Sequence, residues 1–369
     1  MKNNKKILIS ANTYWNIFNF RFDLLKYLKD QGYEIHSIAK HDSYKKNLSD
    51  IGINTINLNL SRNRMNIFYE FIILIKFFYL LLKIKPDLFI GYTFKPNIYG
   101  SIASKLLKIP TINNITGLGY VFINKNLFTF FFKIILKVSL FYSNAIIFQN
   151  KDDQNYFIKN KLCKKEKSFL IHGSGIDTKK YNYCPLVKNK KYIFLFIGRL
   201  IEDKGIFEFL EATNMFKFKN MNIKFQIIGE IDNEYLNKKK ITINFLKNYD
   251  VEYLGFVNNI KKYIENADCI VLPSYREGLP KSLIEACAVG RPIIATDVPG
   301  CRSVVQNNYN GLLCKVKNSE DLFIKMEQMY NYTFDSKLVF SSNSRKLAEK
   351  KFDTNNIIKE NKVIIKKII

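Results

Sequence analysis

The chain has 369 residues, 47% of them hydrophobic and 15% aromatic, and carries a formal net charge of +26. This length predicts two domains, and the abundance of apolar residues excludes an intrinsically disordered protein. Residues 1–185 contain 28 Lys and Arg against 11 Asp and Glu, and the remaining residues contain 30 against 21, so the basic excess is concentrated in the first half. Such an excess favours an anionic partner, which could be nucleic acid, anionic lipid or a phosphorylated substrate.

The first domain is predicted over residues 1–172, where short apolar strands alternate with helical patterns. The basic residues 1–6 precede an apolar run of only three residues, Ile7–Ile9, which indicates a first strand and is too short for a signal peptide. Strands are predicted at Ile7–Ala11, Glu34–Ala39, Ile53–Leu58, Leu88–Ile90, Pro110–Asn113 and Ala145–Phe148, and a first helix at Phe20–Lys29. Strands that alternate with helices of ten or more residues predict a parallel sheet with helices on both faces.

Two segments that follow strands of this domain contain residues suited to ligands. Residues 12–21, interpreted as a loop, hold the only Trp, Trp15, and also Arg21, which could contact a sugar and a phosphate of an acceptor; core and turn packing is the alternative. Gly117 and Gly119 follow the strand that ends at Asn113. Two glycines there would let a phosphate or sugar approach the backbone, although a plain turn fits equally well.

Two long apolar runs, residues 67–82 and 127–142, are candidates for membrane-associated helices. A bilayer needs about 20 apolar residues, and both runs are shorter and carry two charged residues each. Each is therefore predicted to be a buried helix or one that lies on a membrane surface. Basic residues flank or interrupt the first run, namely Arg62, Arg64, Lys76, Lys83 and Lys85. We expect part of it in the core and the rest on an anionic leaflet.

A polar segment, residues 173–190, is predicted to link the first domain to a second one at 191–350, with a C-terminal helix at 351–369 that could return to the first domain. Strands of the second domain are predicted at Tyr192–Ile197, Lys224–Ile228, Val251–Tyr253, Cys269–Pro273 and Pro292–Ala295. The fold class is therefore α/β, with two doubly wound, Rossmann-like domains that face a central cleft. Ligands of such sheets bind outside the carboxyl ends of the strands.

The segment after the strand Tyr192–Ile197 supplies cations. Gly198 would let a ligand approach the backbone, and Arg199 and Lys204, five residues apart, could clamp a diphosphate with a guanidinium fork and a point charge. Two solvated charges on a loop are the alternative interpretation.

The segment after the strand Cys269–Pro273 supplies carboxylates and a helix start. Pro280 fits a first helical turn, and the N–H groups of Lys281, Ser282 and Leu283 are expected to be free and to form an anion site in the cleft. Glu277 precedes the helix and Glu285 lies within it, so the two could hold hydroxyls at opposite ends of one elongated ligand. Glu285 is on a largely apolar helix, and a carboxylate there needs a partner. A dipole partner and a surface charge are the alternatives.

The string from Glu277 to Gly300, EGLPKSLIEACAVGRPIIATDVPG, resembles the E-x7-E signature of the family 4 glycosyltransferases, retaining enzymes of the GT-B fold. GRLIEDKG, from Gly198, resembles the diphosphate clamp of that family, and HGSGIDTKKY, from His172, resembles its hinge. The Gly-Leu-Gly loop is similar to that of bacterial N-acetylgalactosaminyltransferases that act on lipid-linked bacillosamine. No His lies between His41 and His172, so the His contact to the sugar of many relatives has no counterpart there.

This resemblance implies a retaining transfer of a hexose or N-acetylhexosamine from a UDP-sugar to a membrane-associated, polyprenyl-diphosphate-linked acceptor. Glu277 would contact the transferred sugar, Glu285 the ribose hydroxyls, and Arg199 and Lys204 the diphosphate. The catalytic set is thus Arg199, Lys204 and Glu277, and the donor-binding set is Gly198, Phe256, Val257, Gly278, Leu279, Lys281, Ser282, Leu283, Glu285, Gly117 and Gly119. The resemblance also implies no cofactor and no bound metal, in agreement with six cysteines that lack CxxC pairing.

The sequence leaves two other classes of function open. One is a sugar-nucleotide epimerase of the same fold, which would need acid–base residues that the three His are poorly placed to provide. The other is a basic nucleic-acid-binding protein, which lacks any recognised binding motif. A Lys-rich proteome would also explain part of the charge. We expect a cytoplasmic protein that is peripheral on the inner face of the membrane, with no nucleic-acid partner.

Overall fold

The structure, a computed structural model, describes residues 5–60, 67–118, 127–219, 221–231 and 241–369. The chain divides into two compact units: Met1–Ser174 together with Thr354–Ile369, and Gly175–Asp353. Most of the segment interpreted as a linker, residues 173–190, therefore belongs to the second unit.

The first unit is built on a parallel sheet of seven strands in the order β3-β2-β1-β4-β5-β6-β7. The strands are β1 (Lys6–Thr13), β2 (Glu34–Lys40), β3 (Asn54–Asn57), β4 (Leu88–Tyr92), β5 (Thr111–Ile115), β6 (Ala145–Phe148) and β7 (Ser168–Leu170). The helices are α1 (Tyr14–Asp30), α2 (Lys45–Asp50), α3 (Ile67–Ile84), a π-helical turn (Pro96–Gly100), α4 (Ser101–Leu106), α5 (Leu127–Tyr142), α6 (Lys151–Lys159) and a 3₁₀ turn (Lys165–Lys167).

Successive residues of β1 are buried in different clusters, as expected for a sheet covered on both faces. Ile7 and Ile9 pack with Leu25 of α1, whereas Leu8 packs with Phe77 and Leu81 of α3. The predicted parallel α/β sheet is therefore confirmed. β7 was not predicted, because its three residues, Ser168–Leu170, are only half-buried and do not form a continuous apolar run.

The prediction of a loop over residues 12–21 is wrong. β1 extends through Thr13, and α1 begins at Tyr14. The Thr13 side chain accepts a hydrogen bond from the Asn16 N–H at 3.1 Å, which caps the helix at this point. Trp15 and Arg21 are therefore helical residues.

The second unit contains a parallel sheet of six strands in the order β10-β9-β8-β11-β12-β13. The strands are β8 (Tyr192–Ile197), β9 (Ile223–Ile228), β10 (Glu252–Tyr253), β11 (Cys269–Leu272), β12 (Ile293–Thr296) and β13 (Gly311–Cys314). The helices are α7 (Ile206–Met215), α8 (Ile243–Leu246), α9 (Ile260–Asn266), α10 (Lys281–Val289), α11 (Cys301–Val304), α12 (Ser319–Asn331) and α13 (Phe334–Leu347), with 3₁₀ turns at Glu202–Lys204 and Phe216–Phe218 and a π-helical turn at Ala348–Phe352.

The C-terminal helix α14 (Thr354–Ile368) belongs to the first unit. Ile357, Ile364 and Ile365 are buried in the same cluster as Leu25 and Leu28 of α1. The last helix therefore completes a core whose other members lie in the first half of the sequence.

Helix α3 has apolar side chains on both its buried and its exposed face. Ile73, Phe77, Leu81 and Ile84 are buried, at the spacing of one helical face. Phe68, Phe71, Ile72, Ile75, Tyr79 and Leu82 are exposed. Within the described part of the chain, no helix has the length and apolarity needed to cross a membrane.

Candidate active site

The strand order places the two segments singled out in the second unit side by side. β8 and β11 are neighbours, and the order of strands reverses between them, which is where doubly wound sheets bind ligands. Gly198 and Arg199 follow β8, and residues 273–280 follow β11. The described contacts join the two segments, since the Tyr275 N–H donates to the Asp203 carbonyl at 2.9 Å.

Lys204 and Glu277, assigned to different parts of a donor, contact each other directly. The Lys204 ammonium pairs with Oε1 of Glu277, and the Ser274 hydroxyl donates to the same oxygen at 2.7 Å. The two charged side chains keep 24% and 11% exposure. No described residue donates a hydrogen bond to Oε2, so within the described part of the chain the carboxylate is held through one oxygen.

Close backbone contacts fix the loops that carry this pair. Gly205 ends the Lys204 turn at φ +71°, and a Cβ there would lie 2.0 Å from the Pro273 carbonyl oxygen. Gly300, at φ +78°, would place a Cβ 2.6 Å from the carbonyl oxygens of Glu277 and Gly278. Any side chain at either position would separate the loops, so the local sequence is built to hold Lys204 and Glu277 together.

Helix α10 begins one residue later than predicted, because Pro280 is its extended N-cap. The prediction of a free N–H at Leu283 is wrong, since this group donates to the Pro280 carbonyl at 3.2 Å in a tight first turn. Lys281 and Ser282 are the first two helical residues and are both half-buried. The anion site is therefore smaller than predicted.

Glu285 is buried, at 8% exposure, and the partner that its environment requires is Tyr181, whose hydroxyl donates to Oε1 at 3.3 Å. Burial raises the pKa of Glu285 above its usual value, while Lys281 and the Tyr181 hydrogen bond act in the opposite direction. The sequence analysis did not identify Tyr181 as this partner, although Tyr181 is the last residue of the hinge-like string HGSGIDTKKY.

The other predicted donor-binding residues vary in exposure. Arg199 is exposed, Phe256 is 61% exposed, and Val257 and Leu279 are half-buried against the core. A Cβ at Gly198 would lie 3.7 Å from its nearest neighbours, and its φ is not left-handed, so the protein's own packing does not require glycine there. Gly278 is buried beneath Gly300.

In the first unit, Gly117 has a φ of +136° and lies on the segment after β5. Gly119, Arg62 and Arg64 lie outside the described residues. At the ends of β1 and β4, the Thr93 hydroxyl donates to Oδ1 of Asn12 at 2.8 Å. The described residues contain no group of three or more His, Cys, Asp or Glu side chains that could hold a metal ion; the absence of a metal requirement stays a prediction.

Known glycosyltransferases resemble both halves of this chain. The family profile "Glycosyl transferases group 1" matches residues 184–347, and "Glycosyl transferase 4-like" matches residues 6–150. The chain is 33% identical to the N,N'-diacetylbacillosaminyl-diphospho-undecaprenol alpha-1,3-N-acetylgalactosaminyltransferase of Campylobacter jejuni, over 84% of this chain and 85% of the relative.

A second relative is the UDP-Gal:alpha-D-GlcNAc-diphosphoundecaprenol alpha-1,3-galactosyltransferase of Escherichia coli, 24% identical over 80% of each chain. Among solved structures, a glycosyltransferase from Rickettsia africae superimposes with a TM-score of 0.80 at 20% identity over 99% of both chains. Anabaena HepE in complex with UDP and glucose superimposes with a TM-score of 0.79 at 18% identity, over 98% of this chain and 100% of that one. The fold is therefore that of the GT-B glycosyltransferases.

Proposed function

Because the chain belongs to the group 1, family 4-like glycosyltransferases, we propose that it transfers a hexose or N-acetylhexosamine from a UDP-sugar, with retention at the anomeric carbon, to a polyprenyl-diphosphate-linked acceptor. The observation that carries the proposal is the Glu277 carboxylate held through one oxygen by Lys204 and Ser274. Family membership favours this enzyme over the epimerase and the nucleic-acid-binding protein. That nucleic acid is not a partner stays a prediction.

In this proposal Lys204 contacts two anions at once. Its ammonium has three donors, so it can hold Glu277 and a phosphate oxygen at the same time. During transfer, the bond from the sugar C1 to the phosphate oxygen breaks and the acceptor oxygen bonds to C1 on the same face. The acceptor proton passes to the departing phosphate. Lys204 and Arg199 stabilise the charge that grows on the diphosphate, and a charge that grows in the transition state is the one that catalysis must stabilise.

The remaining donor contacts are assigned by burial and chemistry. Glu285, kept at the second turn of α10 by Tyr181, would accept hydrogen bonds from the ribose hydroxyls. Gly198, where the protein's packing makes no demand for glycine, would leave room for the donor next to the backbone. Phe256 and Val257 would lie beside the base, and Gly278, Leu279, Lys281 and Ser282 beside the phosphates and sugar. Gly117 and Gly119 are proposed to contact the donor sugar.

The lipid-linked acceptor is proposed from the names of two relatives, both of which act on undecaprenol-diphosphate-linked substrates. The exposed apolar side chains of α3, with Lys76, Lys83 and Lys85 exposed beside them, support a peripheral position on an anionic membrane surface. We place the protein at the inner face of the cytoplasmic membrane, where such acceptors would be reached without crossing the bilayer.

The test is a screen of UDP-sugars against a synthetic polyprenyl-diphosphate-linked sugar, with mass spectrometry of the product and NMR of the new linkage. We expect transfer from an α-linked donor to give an α-linked product, and activity to persist in EDTA. A β-linked product would refute retention, and a requirement for Mg²⁺ or Mn²⁺ would refute the metal-free prediction.

The role of the ion pair is tested with Lys204→Ala. Loss of one transition-state contact of this kind reduces kcat by about 10²-fold or more, with a smaller change in KM. The matched control is Lys219→Ala, which removes a partly exposed ion pair with Glu327 elsewhere in the same unit. An equal loss of kcat in the two variants would contradict the assignment.

A further inference from the structure

Arg21 is a buried cation that has no anionic partner among the described residues. It keeps 7% exposure, and its guanidinium lies over the ring of Tyr92 at 4.1 Å from the centroid. Among the described residues it forms no ion pair, and its buried Nε donates to no acceptor. A buried charge that is neither paired nor hydrogen-bonded is costly, so proteins rarely keep one without a use.

Arg291 shows how this chain satisfies a buried guanidinium that has a structural role. It is 1% exposed, and its Nε and Nη2 donate to the carbonyl oxygens of Ile264 and Cys184 at 3.0 and 2.7 Å. Both arginines have a pKa lowered by burial. Desolvation therefore acts on both, and only Arg291 is compensated by fixed acceptors.

Arg21 packs beside the strand ends at which doubly wound sheets generally bind ligands. Tyr92 is the last residue of β4, and β4 and β1 are the neighbouring strands between which the strand order of the first sheet reverses. The Thr93–Asn12 hydrogen bond joins the ends of these same strands. Thr93 has a φ of +66°, which is unusual for a β-branched residue and is found where a site requires it. The equivalent point of the second sheet holds Lys204 and Glu277.

We propose that the crevice at the carboxyl ends of β1 and β4 binds a diphosphate group, and that Arg21 is its charge contact. A diphosphate is the anion that the proposed function brings to this enzyme, in the lipid-linked acceptor and in the nucleotide donor, so the ligand class rests on that function. A guanidinium binds phosphate oxygens through two parallel N–H donors, and the aromatic face of Tyr92 holds its plane in place.

The experiment compares the full-length wild type with Arg21→Met, Arg21→Lys and Arg291→Met. Binding of farnesyl diphosphate and of UDP is measured separately by calorimetry, and unfolding by thermal denaturation of the ligand-free protein. We expect Arg21→Met to keep or raise Tm, because it removes an uncompensated buried charge, and to weaken one diphosphate ligand by about tenfold or more. Arg291→Met should lower Tm, because it removes the two hydrogen bonds that the guanidinium donates to the Ile264 and Cys184 carbonyl oxygens.

The two ligands distinguish the source of the diphosphate. Weaker farnesyl diphosphate binding with unchanged UDP binding assigns the crevice to the acceptor, and the reverse assigns it to the donor; both support the site. Unchanged affinity for both ligands, or a Tm loss in Arg21→Met as large as in Arg291→Met, overturns it. If Arg21→Met does not fold, Arg21→Lys decides, since a lysine cannot form the two parallel bonds and should also bind more weakly. Neither measurement needs sugar transfer, so a failed donor screen leaves this test intact.

Discussion

Among single residues, Glu285 links ligand binding to stability. Because burial raises its pKa, the folded protein holds the charged carboxylate at a cost at neutral pH, and that cost disappears as pH falls below the unfolded value of 4.5. We expect Glu285→Gln to raise the Tm of the ligand-free protein at pH 7, with the difference shrinking as pH falls through the raised pKa. The same variant should weaken UDP binding by about 1.5–3 kcal/mol.

Thermal denaturation from pH 4 to 8 and calorimetry with UDP measure both effects, and the exposed Glu211→Gln is the control. Unchanged UDP affinity would remove the ribose assignment. The sequence could predict that Glu285 needs a partner, from a carboxylate on an apolar helix. It could not predict Tyr181, which lies 104 residues away, because only the packing of the folded chain brings the two together. The lack of an acceptor for the Arg21 Nε was missed for the same reason. Ser274 is only three residues from Glu277, and its contact was missed because it depends on the conformation of the loop after β11.

Among the helices and strands, α3 supports the clearest prediction. The triple variant Lys76→Glu, Lys83→Glu, Lys85→Glu should lose binding to vesicles of anionic phospholipid, since each basic residue near such a surface contributes about 1 kcal/mol. Wild-type binding should fall as salt rises. A vesicle sedimentation assay measures both, and Lys190→Glu, Lys191→Glu, Lys247→Glu is a control with equal charge change at exposed sites of the second unit. Equal losses in both variants would show that total charge alone is responsible.

Strands were predictable from sequence where an apolar run is bounded by turn residues. All eleven predicted strands are present with ends shifted by at most two residues, because buried parallel strands are continuous apolar runs bounded by turns. β7 and β13 were not predicted, because β7 is only half-buried and β13 begins with a glycine, which is typical of a turn. The first eight residues of α1 were interpreted as a loop because aromatic and amide residues, which suit a loop, mask the helical spacing. Only the Thr13 cap reveals the start of the helix.

In the whole molecule, the first unit depends on a helix from the far end of the chain. Ile365→Ala should destabilise the protein by about 2–5 kcal/mol, because Ile365 is 2% exposed in the core shared with α1. Val363→Ala, at 69% exposure on the same helix, should change stability by less than about 0.5 kcal/mol. Hydrogen exchange should show lost protection in residues 5–60 and not in residues 191–231. Equal protection loss in both regions would contradict the division into two units.

The return of α14 to the first unit also sets an order of assembly during synthesis. The second unit, Gly175–Asp353, is continuous in sequence and has all its strands and helices once Asp353 has been made. The first unit begins earlier but lacks a core helix until residues 354–368 follow. Because domains fold as units while the chain grows from its N-terminus, the half that is translated first is the half that finishes folding last. Until then, the nascent chain exposes the apolar surface of α1 that Ile357, Ile364 and Ile365 later cover, and this is the surface on which a chaperone would act.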